Sequence, residues 1–229
     1  MIVFAVLNFA CATVSKQANE LSPEEKLITI EQARLLNLRA IEMYHQGKYP
    51  EAKKFAQAAL QLREKVLEPD NIELAQSLNN LGEINNVQGD IEEAYRLFHQ
   101  AYQINLKKLG DKHPTTAINM NNIGEVLKTR ENYGDALKFF QKALLIHEKC
   151  FGPDHVQVAM VLNNIASVKQ LQGDYDSARV LYERSITIKE QQLGFEHPSV
   201  MYSLNNLATL YIDTQQYDHA RPLLQRVIT

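Results

Sequence analysis

Four asparagines stand at equal intervals in otherwise apolar stretches: Asn80, Asn122, Asn164 and Asn206, spaced by 42 residues (122 − 80, 164 − 122, 206 − 164). A primary amide donates and accepts, as a peptide group does, so a row of them suits gripping the backbone of an extended chain. Each is preceded by another asparagine, Asn79, Asn121, Asn163 or Asn205. These first members read as structural ties between adjacent helices, because buried polar side chains are usually satisfied within the protein. Gln76, Ile118, Met160 and Tyr202 lie four residues before the second asparagines, and Glu83, Glu125, Ser167 and Thr209 lie three after. Steps of four and three put each set on one helical stripe. Ile118, Met160 and Tyr202 are candidate side-chain pockets. Glu83 and Glu125 make the N-terminal half of the stripe mildly acidic, with Lys128 opposing, which points to a basic residue in a ligand there.

The other chemistry-bearing residues follow the same period. His113, His155 and His197 fall in the inter-repeat turns, just before or at a helix start, where a structural turn or cap role outweighs catalysis. His147, Cys150 and His155 carry metal-ligand side chains but lack a fourth partner, so no metal site is assigned. No glycine-rich phosphate loop or nucleophile elbow occurs. Catalytic residues: none; cofactors: none; the chain reads as a non-enzyme.

The elements that must carry these residues are legible in columns 42 residues apart. One column is small throughout: Ala40, Gly82, Gly124, Ala166, Ala208. A second is alanine throughout: Ala52, Ala94, Ala136, Ala178, Ala220. A third is mostly small: Ala59, Ala101, Ala143, Ser185, Val227. Between them run bulky residues such as Phe98, Phe140, Tyr182 and Leu224. Apolar residues recur three and four apart, which is helical spacing. Breaks at 46–49, 88–91, 131–133, 172–175 and 215–217 alternate with breaks at 67–71, 109–114, 151–156 and 193–198. Each unit is therefore helix, short turn, helix, short turn. Ser22-Pro23-Glu24-Glu25 is a capping box that starts the first helix. Small columns let paired helices approach closely, and stacked pairs bury a continuous core that one pair alone cannot.

These columns resemble the tetratricopeptide repeat, with Gly82, Ala94 and Ala101 at offsets 0, 12 and 19, Phe98 between them, and Tyr49, Tyr133, Tyr175 and Tyr217 at the second-helix tyrosine. Ile91 departs from that last column. The family's usual period is 34. A period of 42 with "LNNLA" and "LG-x-x-HP" looks like the kinesin-light-chain variety, also widespread in bacterial proteins. The resemblance covers residues 31–229. It implies an all-α, right-handed α-solenoid of about five units over 22–229: 31–72, 73–114, 115–156, 157–198 and a truncated 199–229. It also implies that first helices line a concave groove in which Asn80, Asn122, Asn164 and Asn206 meet a ligand. The first repeat is atypical, with Arg39 where Leu81, Ile123, Ile165 and Leu207 stand later.

The expected function is a scaffold binding an extended segment of a protein or peptide partner. An alternative is the regulatory or targeting part of a larger enzyme, for example one with a caspase-like protease domain beyond residue 229, because the last repeat reads as ending in mid-helix. Self-association through that uncapped repeat is a third expectation. A net charge of −3 with a pI near 6.2 argues against a nucleic-acid surface, and no apolar run reaches the roughly 20 residues of an integral membrane span. Residues 1–21 form a separate segment: "MIVFAVLNFACA" is apolar and ends in a small-x-small triplet, but no Lys or Arg precedes it. Exported (periplasmic) and cytoplasmic locations both stay open.

Overall fold

The computed structural model describes residues 21–228, and the signal-like segment at 1–12 lies outside them. The described residues form ten α-helices and no strand: α1 (Pro23–His45), α2 (Tyr49–Val66), α3 (Ile72–Val87), α4 (Ile91–Leu109), α5 (Pro114–Thr129), α6 (Tyr133–Phe151), α7 (Val156–Leu171), α8 (Tyr175–Leu193), α9 (Pro198–Asp213) and α10 (Tyr217–Ile228).

Local chemistry sets the boundaries. Ser22 Oγ accepts from the Glu25 amide at 3.2 Å while Glu25 Oε2 accepts from the Ser22 amide at 2.7 Å, so the expected capping box forms. His113, His155 and His197 cap α5, α7 and α9, each Nδ1 accepting from the amide two residues on at 3.1–3.2 Å. Asn71 does the same for α3 through Oδ1, at 2.8 Å from the Glu73 amide. These bonds satisfy amides that would otherwise lack a partner at a helix start. They also tie up the histidine nitrogen nearest the backbone. The turn after α4 passes through Gly110 at φ 89°, a region that side chains with a Cβ rarely adopt.

Successive helices pair as hairpins, and the second helix of each hairpin packs on the first helix of the next. The alanine column Ala52, Ala94, Ala136 and Ala178 is fully buried at these crossings. In two repeats the crossing is tighter still. A Cβ on Gly82 would lie 2.7 Å from Phe98 Cε1, and one on Gly124 would lie 2.6 Å from Phe140 Cε1. The phenyl rings occupy the space that a side chain would need. Where the small residue is Ala166, the bulky partner is Tyr182, which is buried and whose hydroxyl donates to Gln170 Oε1 at 3.1 Å.

The backbones of neighbouring first helices approach one another closely (α1 with α3, α3 with α5, α5 with α7, α7 with α9), whereas neighbouring second helices meet only through side chains, such as Tyr102 against Phe139 and Arg184 with Glu148. The stack therefore bends towards the first helices, which form its inner, concave side.

Candidate functional site

The paired asparagines form one ladder along the first helices. Asn80 Nδ2 donates to Asn37 Oδ1 at 3.0 Å, Asn122 Nδ2 to Asn79 Oδ1 at 2.9 Å, Asn164 Nδ2 to Asn121 Oδ1 at 3.0 Å, and Asn206 Nδ2 to Asn163 Oδ1 at 3.3 Å. In each rung the second asparagine of one repeat donates to the first asparagine of the repeat before. A neutral amide pair of this kind contributes about 1 kcal/mol net. The second asparagines thus carry a structural bond through one N–H. The Oδ1 atoms of Asn80, Asn164 and Asn206 accept nothing from the described residues and are not among the buried unpaired atoms, while Asn122 Oδ1 takes a 3.5 Å contact from Asn121 Nδ2.

The remaining stripe residues lie around the ladder. Ile118, Met160 and Tyr202 are 36%, 41% and 56% exposed, too open for core packing. Asn80 and Ile118 line one cleft of about 550 Å³ between α3 and α5, together with Gln76 and Asn79. Asn80 and Glu83 also line a smaller cleft towards α1. Glu83 Oε1 accepts from Asn79 Nδ2 at 2.8 Å and Asn122 Nδ2 at 3.4 Å. Glu125 is ion-paired with Lys128 at 3.1 Å. Lys128 therefore neutralises one carboxylate rather than opposing the acidic half as a whole.

Beneath the ladder is a buried polar column that sequence reasoning missed: Arg63, Asn105, His147 and Lys189, all 1–3% exposed and 42 residues apart (105 − 63, 147 − 105, 189 − 147). Arg63 donates to the Glu73 carbonyl at 2.8 Å and Ser77 Oγ at 2.7 Å. Lys189 donates to the Ser199 carbonyl at 3.3 Å and Ser203 Oγ at 2.7 Å, and burial pushes its ammonium down to about 8. Asn105 donates to Asn119 Oδ1 at 2.6 Å, and Asn119 donates on to Asn79 Oδ1 at 3.2 Å. Ser203 likewise reaches Asn163 Oδ1 at 3.1 Å. The column thus feeds the ladder at two junctions. His147 is the exception. Both its ring nitrogens are buried without a partner, and burial, then His155, pulls its imidazole down to about 4. Its ring stacks on Phe151 at 5.8 Å, which in turn stacks on His155 at 4.5 Å. The signal for this column was the period itself, carried by polarity rather than by residue identity.

Among the described residues no group of three or more His, Cys, Asp or Glu side chains could hold a metal ion, and no helix is long and apolar enough to cross a membrane.

The chain is similar in fold to BtubC (BKLC) from P. vanneervenii, with a TM-score of 0.65 and 19% identity over 89% of this chain and 87% of that one. It is similar to the nearly identical TPR-like repeats of a protein described as a kinesin light chain from Podosopora anserina, with a TM-score of 0.65 and 22% identity over 86% and 94% of the two chains. A Rap protein complexed with competence and sporulation factor gives a TM-score of 0.76 and 19% identity, over 86% of this chain and 53% of that one. No match is found among curated proteins. Tetratricopeptide repeats match at residues 31–86, 73–144, 120–191 and 157–229; these overlapping windows run unbroken from residue 31 onward, and the chain belongs to the tetratricopeptide repeat family.

Proposed function

We propose that this protein is a non-catalytic scaffold that holds an extended segment of a partner protein along the concave face of its first helices. One observation carries the reading: the free Oδ1 atoms of Asn80, Asn164 and Asn206 recur beside the exposed apolar side chains of Ile118, Met160 and Tyr202. Backbone acceptors and side-chain pockets then alternate along one face. Neighbouring helices pack at about 8–10 Å and an extended chain advances about 3.3 Å per residue, so one amide meets the ligand about every third residue. The Rap protein of similar fold, complexed with competence and sporulation factor, supports a ligand-holding role for a stack of this kind.

The test uses a phage-displayed random heptapeptide library. The protein is expected to enrich peptides that bind it and that fail to bind the triple variant Ile118→Glu, Met160→Glu, Tyr202→Glu. These positions are exposed and outside the ladder, so melting should be unchanged. Equal binding by the folded variant, or no enrichment by the parent protein, would overturn the groove assignment.

A further inference from the structure

Glu83 and Glu125 hold the same place in successive repeats (125 − 83 is 42), yet their surroundings differ. Three residues beyond Glu125 stands Lys128, which pairs with it. Three residues beyond Glu83 stands Asn86, which carries no charge. No lysine or arginine among the described residues lies within 4.0 Å of the Glu83 carboxylate. Later repeats have Ser167 and Thr209 at this position, so Glu83 is the one uncompensated carboxylate in the column among the described residues.

Its two oxygens are used unequally. Oε1 holds Asn79 and Asn122. Oε2 accepts nothing from the described residues and is not among the buried unpaired atoms. The carboxylate lines a cleft of about 180 Å³ between α1 and α3, with Ile41, Tyr44, His45 and Asn80. Burial pushes the Glu83 carboxyl up; the bonds from Asn79 and Asn122, and then His45, only partly offset this. A half-buried carboxylate with one oxygen free is the arrangement that an incoming cation relieves.

We propose that this cleft is a subsite for one basic side chain, lysine or arginine, of the bound segment. The assignment rests on the groove reading above and names what enters at its N-terminal end. Glu83 Oε2 takes the charge, Asn80 Oδ1 is a second acceptor beside it, and Ile41 offers an apolar surface to the aliphatic stem. The Tyr44 ring in the same wall favours a cation over a neutral side chain. One repeat further on, Lys128 already occupies the corresponding carboxylate, so the preference is local to this end.

The experiment repeats the heptapeptide selection on the parent protein and on Glu83→Gln, which keeps an acceptor for Asn79. The parent is expected to select peptides with Lys or Arg at one fixed position, and Glu83→Gln is expected to lose that preference alone. A selected peptide should bind Glu83→Gln about tenfold more weakly, and Glu125→Gln nearly as well as the parent. Replacing its basic residue with norleucine should weaken binding to the parent but not to Glu83→Gln. Selected peptides without a fixed basic position, or with equal affinity for the parent and Glu83→Gln, would overturn the subsite. If such peptides still fail on the Ile118, Met160, Tyr202 variant, the groove stands and only the subsite falls; if the parent selects nothing, both fall.

Discussion

The junction between α4 and α5 and the junction between α6 and α7 occupy equivalent places in the stack and solve one problem differently. At the first, Asn105 is buried but donates to Asn119, which donates to Asn79, so the amides form a relay from the junction to the concave ladder. At the second, His147 is just as buried, but the residue equivalent to Asn119 is Val161, and neither imidazole nitrogen has a partner. The Asn105 Nδ2 bond contributes about 1 kcal/mol although Asn105 Oδ1 is itself unpartnered, whereas a ring with neither nitrogen bonded has nothing to offset the roughly 1–3 kcal/mol cost of a stranded polar group. The period alone therefore does not decide whether a polar column stabilises the stack. The side chain fourteen positions later does, as Ser77 for Arg63 and Ser203 for Lys189 also illustrate.

The largest expected difference between the two junctions appears on acidification. An unfolded histidine titrates near 6.5 and His147 in the folded chain near 4. Between these values the unfolded chain binds more protons, so stability falls as pH falls, by up to about 3 kcal/mol at pH 4. Urea unfolding at a series of pH values should show this slope, and His147→Leu should remove most of it. An unchanged slope in that variant would mean that His147 is reached by water. Next in size, Asn105→Leu strands Asn119 and should cost about 2 kcal/mol, while the double change Asn105→Leu, Asn119→Val should recover most of the loss. No recovery would show that the relay to Asn79 matters more than the buried pair. The smallest effect is the reverse exchange. Val161→Asn offers His147 a partner of similar size and should add about 1 kcal/mol at pH 7; a loss of stability would show that the ring cannot reach it.

Much of this architecture is legible in the amino-acid sequence, for a mechanical reason. Close helix crossings demand small residues, so the columns at Ala40 and Ala52 recur and expose both the period and the pairing. His113, His155 and His197 were legible as caps because each sits directly before a helix start. The ladder was only half legible. Position alone gives Asn79 and Asn80 separate roles, yet each rung joins the second asparagine of one repeat to the first of the repeat before, a contact 43 residues apart that no single column contains. The Arg63, Asn105, His147, Lys189 column was missed because four different side chains do the same thing, spanning a buried junction. The contrast between Glu83 and Glu125 lay in the sequence as Asn86 against Lys128, but its meaning needed the distance that pairs Lys128 with Glu125 alone.

The inner helices bring their backbones close and are tied by the asparagine ladder, while the outer ones are joined only by long side chains. Tighter coiling drives the abutting inner backbones together, whereas uncoiling pulls the same helices apart against the asparagine ladder. Both movements are thus opposed from the inner side, which keeps the width of the hollow close to the value that the repeats set.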